Sequence, residues 1–299
     1  MDIVFVILHY LAIDETRKCV DYITENIDTE SYQIIIVDNA SANGSGAVLK
    51  DYYSRQAGIT VILNAENLGF AKGNNVGFLY AKKRWNPRYI VLLNNDVYLL
   101  EKELLHKLDA EFKKSGFAVS GPLIMTADGR CDINPIRMTP MTKDAIIKDI
   151  QIYKRRQFLY KYHLMGMRNK ILQLLKGTER KRAAKNYIQG CKNVQLHGCF
   201  LVFSEKYTER FDGLDDRTFL FREEAILYKH MLENNMVTVY QPEIIVFHEE
   251  DAATDQFRKT EKQKALFELD NHIKSLNILL DVYSEYEKHQ KEQTYEAGF

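Results

Sequence analysis

Four short apolar runs, each followed by a polar turn and a helical stretch, occupy the first hundred residues and constrain the fold more than any other feature. Ile3–Leu8, Gln33–Val37, Ile59–Leu63 and Tyr89–Leu93 have the length and β-branched content of strands buried on both faces. Between them the spacing predicts helices over Asp14–Asn26, with Asp14 as the N-cap, and over Ala47–Gln56 and Gly69–Lys82. A helix over Lys102–Lys114 and a short strand at Phe117–Ser120 follow. Strands alternating with helices require right-handed crossovers and a mostly parallel sheet, so the expected class is α/β.

Regularity is lost over residues 121–194, which hold turn residues and helical patterns such as Lys170–Leu175. It returns at Phe200–Phe203, with a helix over Glu224–Asn234 and two strands, Val237–Tyr240 and Ile244–Phe247. In the tail, about residues 260–286, Leu266, Leu269, Ile273, Leu276 and Leu280 recur at helical steps. That stripe is free to pack on its own domain or on another. The expected organisation is one catalytic domain over 1–250, interrupted by a basic helical insert at about 141–190, and a helical tail over 251–299.

Hydrophobic residues make up 45% and charged residues 27%, which excludes a disordered chain. No run approaches the roughly 18 apolar residues of a membrane span, and Asp2 stands where a signal peptide wants basic residues. Cys19, Cys131, Cys191 and Cys199 are widely spaced, as expected for reduced thiols of a cytoplasmic protein. The net charge is zero, yet residues 143–186 hold 13 Lys/Arg against three acids. A basic arm therefore stands on an acidic body. Lys154–Arg156 and Arg180–Arg182 interleave with Tyr153, Phe158, Leu159, Tyr160, Tyr162 and Leu164, a mixture suited to anionic lipid headgroups. No nucleic-acid motif accompanies them, so nucleic acid is not the expected partner. The alternative is a solvated hairpin packed on the acidic body.

Ligands of open α/β sheets bind beyond the carboxyl ends of the strands. His9 and Tyr10 follow the first run, Asp38 and Asn39 the second, Asn64–Asn75 the third and Asn94-Asn95-Asp96 the fourth. Polar side chains after all four strands point to a site. The first turn has no Gly-x-Gly-x-x-Gly and the chain has no Gly-Lys-Ser/Thr, so a nucleotide's phosphates need other neutralisation, for which a divalent metal serves. Asp96 suits such a hard cation.

Asp38–Ser41, Asn67–Asn75 and Leu93–Asp96 together resemble family 2 glycosyltransferases of the GT-A fold, nearest the rhamnosyltransferase-like branch that builds bacterial surface polysaccharides. The resemblance covers roughly residues 1–125 and 195–250. It implies an inverting transfer from a nucleoside-diphosphate sugar (dTDP or UDP, rhamnose among the candidates) to a saccharide acceptor, lipid-linked, at the inner face of the cell membrane. It places Asp38 on the nucleobase with His9 and Tyr10 lining the base pocket. Asn67, Gly69, Lys72 and Asn75 then lie beside the ribose and diphosphate, with Asn95 also on the donor. Asn94-Asn95-Asp96 stands in the place of the family's Asp-x-Asp motif, with Asn94 replacing its first acid. Asp96 remains as ligand of Mg²⁺ or Mn²⁺, joined by His248. Leu220–Leu227 is similar to the segment whose second acid is the general base, which implies Glu224, with Glu223 supporting it or competing for the role. His197 and Gly198 fall where the family seats the acceptor. Cys199 is expected to be a packed small side chain, because a single displacement needs no thiol. The rival readings are a sugar-1-phosphate nucleotidyltransferase, whose basic loop after strand one is missing here, and a degenerate sugar-nucleotide sensor or scaffold.

Overall fold

The computed structural model describes residues 1–162, 188–249 and 260–296. Leu164 and residues 170–175 and 180–182, singled out above, lie outside them. In chain order the elements are β1 (Ile3–His9), α1 (Ile13–Asn26), β2 (Tyr32–Asp38), α2 (Ser45–Tyr52), β3 (Ile59–Leu63), α3 (Phe70–Trp85), β4 (Tyr89–Asn94), β5 (Val97–Leu99) and α4 (Leu104–Ser115). They continue with β6 (Val119–Thr126), α5 (Lys143–Lys161), β7 (Cys191–Lys192), β8 (Phe200–Ser204), α6 (Glu205–Thr208), α7 (Glu223–Glu233), β9 (Thr238–His248) and α8 (Glu261–Glu296). Two compact units emerge: Met1–Pro140 with Asn186–Phe219 and Glu223–Phe257, and Met141–Lys185 with Leu220–Arg222 and Arg258–Phe299.

The first unit is built on one sheet in the order β3-β2-β1-β4-β8-β6-β9-β5, with β7 also paired to β9. The strands of the four apolar runs pair in parallel, as their helical crossovers require. β8 then pairs antiparallel to β4, with Leu93 opposite Phe200. That reversal brings the start of β8 to the carboxyl end of β4. Beyond it, β6 and β9 are parallel, and β5 and β7 join β9 antiparallel.

The continuous apolar runs are explained by helices on both faces. Ile3, Phe5 and Ile7 join Ile34, Ile36, Val91 and Leu93 in one core with Cys19, Val20 and Ile23 of α1. Val4, Val6, Ile35, Val37, Ile90 and Leu92 join the other core with Ala71 and Phe78 of α3 and Leu227 of α7. Alternate residues of each strand thus bury on opposite sides.

Several local expectations are corrected. Ala12, not Asp14, is the N-cap of α1, and Asp14 lies in the first turn, where the helix dipole favours an acid. β6 runs on from Val119 to Thr126, through Gly121-Pro122, with a register shift at Pro122/Leu123. Strong β pairing to β9 overrides the turn signal. The two expected strands near the end are one, β9, because Pro242 continues an extended backbone. β5 and β7 are too short to show a period in sequence.

The second unit pairs α5 with α8. Thr142 caps α5, its side chain accepting from the Ala145 N–H at 3.2 Å, an interaction worth about 1 kcal/mol. Ile146 and Ile150 of α5 are buried, as are Leu269, Leu276, Leu279, Val282 and Tyr283 of α8. Of the tail's expected stripe, Leu269 and Leu276 are buried and Leu266, Ile273 and Leu280 are half-buried. Lys143 and Glu287 pair at 2.6 Å.

Candidate functional site

The carboxyl ends of β2, β1 and β4 lie side by side, with His9 opposite Asp38 and Leu8 opposite Asn94. Two strand spacings separate Asp38 from Asn94, about 10 Å. Asp38 is buried and accepts from the Ser41 N–H at 3.2 Å. A Cβ at Gly46 would overlap its carboxylate. Gly46→Ala is therefore expected to displace the Asp38 carboxylate; with the nucleobase role that the resemblance implies for Asp38, that weakens UDP binding about tenfold, read by titration, while the melting temperature moves little.

His9 is fully buried, and both ring nitrogens are engaged at 2.7 Å, Nδ1 with the Thr16 hydroxyl and Nε2 with that of Ser45. It has no surface to offer a nucleobase, so its expected place in the base-pocket lining is corrected: it anchors α1 and α2 beneath Asp38. Burial lowers His9 to about 4 against the raising influence of Asp38. The 3.9 Å approach of its Nε2 to Asp38 is thus no ion pair at neutral pH. Tyr10 is half-buried and follows directly.

The depressed His9 has a consequence for stability. The unfolded imidazole titrates near 6.5 and the folded one at about 4, so the unfolded chain takes up the proton first as pH falls. Stability is complete above pH 6.5 and declines toward pH 4, by about 3 kcal/mol for this group alone. Melts between pH 7 and 4 should show that decline, and His9→Gln should flatten it.

Asn39 latches the loop that leads into α3. Its Nδ2 donates to Asn67 Oδ1 and the Gly69 carbonyl, and its Oδ1 accepts from the Leu68 N–H. Gly69, at φ 79°, donates to Asn67 Oδ1. Asn67 therefore shapes the loop from within. Asn75 is engaged too, donating to and accepting from the backbone of Leu214 at 2.8 Å, and Asn95 is buried, donating to the Ala12 carbonyl and to Thr16. As direct donor contacts Asn75 and Asn95 are corrected to scaffold, their amides being turned to the protein. Lys72 is exposed in the first turn of α3. The latch of Asn39 and the bridging of Thr16 are roles the sequence does not announce, since each links elements distant in the chain.

At the other end of the site, His248 Nε2 stands 3.3 Å from Asp96 Oδ1. Burial opposes protonation of His248, but bonds to Asp96 and Cys199 raise it to about 10. The rings of His248 and His197 lie edge to face with centroids 6.1 Å apart. Burial disfavours the charged form of His197 as well, yet Cys199 and then Glu224 raise it. Cys199 is buried and donates its backbone N–H to His197 Nδ1 at 3.2 Å. A Cβ on Gly198 would stand 2.8 Å from Glu224 Oε1, so the glycine leaves room for that carboxylate. Asp96, His248, His197, Gly198 and Glu224 thus form one continuous group. Glu223 is different: it is buried and accepts from the Thr218 hydroxyl at 2.9 Å. Glu224 is half-buried, with no hydrogen bond from another described residue.

His248 Nδ1 is buried without a hydrogen-bond partner, and the buried Asp96 Oδ1 has only the 3.3 Å approach of His248 Nε2. A buried carboxylate oxygen with only an imidazole beside it fits a divalent cation that displaces the imidazole proton and completes its shell with phosphate oxygens and water. Among the described residues no group of three or more His, Cys, Asp or Glu converges for a metal.

The family model described as "Glycosyl transferase family 2" matches residues 4–185. It takes in the basic segment and stops short of residues 195–250, unlike the extent expected from the motifs. No curated protein sequence matches the chain. Among solved structures, S. aureus TarS 1–349 is similar, with a TM-score of 0.52 and 12% identity over 91% of this chain and 71% of that one. TarS has also been solved with UDP-GlcNAc. GalNAc-T7 with UDP, GalNAc and Mn²⁺ is similar with a TM-score of 0.54 and 13% identity, over 83% of this chain and 44% of that one. At such identities the likeness concerns the fold, which is GT-A. Among the described residues no helix is long and apolar enough to cross a membrane.

Proposed function

The chain belongs to glycosyl transferase family 2, a glycosyltransferase of the GT-A fold, and from that premise we propose that it performs an inverting transfer from a nucleoside-diphosphate sugar to a saccharide hydroxyl. The observation that carries the reading is the row from Asp96 through His248 and His197 to Glu224. It sets a free carboxylate on the far side of two imidazoles from a carboxylate suited to the leaving diphosphate. Asp38 holds the base and Ser41 orients its carboxylate. Glu224 takes the proton of the acceptor hydroxyl, whose oxygen bonds to the anomeric carbon as the bond to the diphosphate breaks. Asp96, and His248 once the cation has displaced its proton, would hold Mg²⁺ or Mn²⁺, whose charge stabilises the leaving diphosphate when bound. UDP in the TarS and GalNAc-T7 structures makes uridine the first base to test, with dTDP-rhamnose beside it. A screen of UDP-GlcNAc, UDP-glucose, UDP-galactose and dTDP-rhamnose for release of the nucleoside diphosphate tests the reading. If none is bound or turned over, it fails. Asn94, and the lack of a third metal-ligating side chain among the described residues, favour one alternative: a sensor that binds nucleotide sugar without turnover, which the same screen separates.

The acceptor is lipid-linked in this reading, and α5 supports it. Phe158 and Tyr162 are more than half exposed, their centroids 4.6 Å apart, on a helix that also exposes Lys154, Arg155 and Arg156. Such a face suits peripheral contact with an anionic inner membrane leaflet. Flotation with phosphatidylglycerol vesicles at low and high salt checks it: binding lost at high salt is expected, and no binding in either excludes the contact.

A further inference from the structure

Leu220, Phe221 and Arg222, the three residues before Glu223, group with the two-helix unit. Phe221 and Arg222 both have φ of 72°, an arrangement that costs about 1–2 kcal/mol per residue for side chains of this kind. Such strain persists only where the surroundings hold it. Here the Ser275 hydroxyl donates to the Leu220 carbonyl at 2.7 Å, and the Phe221 ring stacks on His272 with centroids 3.8 Å apart. The Arg222 guanidinium donates from Nη2 to the Tyr153 hydroxyl at 3.4 Å.

What the strain presents is a gathering of positive charge. Arg222 and Arg156 each place Cζ 5.9 Å from the centroid of the Tyr153 ring, and His272 lies 4.6 Å from that ring. Among the described residues neither arginine has an acidic partner within ion-pair distance. Arg222 Nε and His272 Nδ1 are buried and have no hydrogen-bond partner. Each such orphan is unfavourable unless a ligand satisfies it. Burial first, then Arg222 and Arg156, lowers His272 to about 4, so its ring is neutral at pH 7, and its Nδ1 carries a proton in the tautomer that would face an anion. Beyond the one bond from Arg222 to the Tyr153 hydroxyl, two guanidinium groups and an imidazole N–H offer donors in excess of acceptors among the described residues, which suits a compact oxyanion.

We propose that Arg156, Arg222 and His272, with the Tyr153 hydroxyl, form a receptor for a phosphate or diphosphate ester. Assigning that ester to the acceptor rests on the function proposed above; the binding itself does not. Arg222 stands two positions before Glu224 in the chain, with Glu223 between them. The acceptor it selects is one whose saccharide bears a phosphate.

The test uses the full chain saturated with UDP, without divalent ions, titrated calorimetrically with inorganic pyrophosphate. Saturable one-site binding is expected. Arg156→Gln, at an exposed position that tolerates change, and Arg222→Lys, which keeps the charge but loses Nε, should each weaken it at least tenfold. Lys50→Gln, an exposed substitution in α2, should not change it. Flotation with phosphatidylcholine vesicles carrying phosphatidic acid then separates the sources. Recruitment lost in Arg156→Gln assigns a lipid-borne phosphate, and pyrophosphate binding without recruitment assigns a soluble phosphate ester. No pyrophosphate binding to the wild type, or equal affinity in both arginine variants, overturns the receptor. Failure of UDP to bind at the first step would count against the donor reading alone, because the effect of Arg156→Gln on pyrophosphate still decides this one.

Discussion

Glu224→Gln is expected to lower kcat of sugar transfer about a thousandfold, the scale of removing a positioned general base, while UDP binds as tightly as to the wild type. The amide keeps the shape of the carboxylate above Gly198 and removes its ability to take a proton. Neither Asp38 nor Asp96 touches Glu224, so donor affinity should not follow. The companion Glu223→Gln sharpens the assignment. Glu223 is buried and accepts from the Thr218 hydroxyl, so its substitution should act on stability more than on kcat. A melt of both variants beside their kcat and KM separates the two effects. Full activity in Glu224→Gln, or a thousandfold loss confined to Glu223→Gln, would move the base to the other residue.

Asp96→Ala is expected to cost a similar factor in kcat and, unlike the first substitution, to abolish any strengthening of UDP binding by Mn²⁺. The physical reason is the buried Oδ1, which has only His248 Nε2 beside it, at 3.3 Å: a carboxylate held dry with so few donors is set for a cation and phosphate oxygens. Its removal takes away the one acid at the end of β4, because Asn94 offers only a neutral amide. UDP titrations with and without Mn²⁺ supply a readout that does not depend on turnover. Unchanged Mn²⁺ dependence in the variant would place the metal elsewhere and refute the role of Asp96. The isosteric Asp96→Asn guards against a loss caused by misfolding.

These two substitutions share a site whose parts differ in how far the sequence shows them. Asp38, Asp96 and Glu224 are legible because each follows or begins a strongly patterned element, and polar residues after apolar strands stand out. His9, Asn75 and Asn95 share that pattern yet face inward, engaged by Thr16, Ser45, Leu214 and Ala12. Nothing local distinguishes an asparagine turned to a ligand from one bonded to a helix 80 residues away. The same limit hides the roles of Asn39 and Gly46. One is a latch and the other a gap, and both are defined by partners distant in the chain.

By itself the sequence determined the parallel half of the sheet, since a period of uninterrupted apolar runs and helices leaves few ways to bury both strand faces. It also determined the motifs by which the family is recognised, and the charge imbalance of the basic arm. Only the tertiary structure decided that β8 runs antiparallel beside β4 and so delivers His197 and Gly198 to the site, because register and direction follow from long-range pairing rather than local preference. It decided as well which glutamate is engaged and which is free, and that Arg156, Arg222 and His272, far apart in the chain, meet around Tyr153. Proximity of that kind arises only when the elements pack, and no spacing within a single element encodes it.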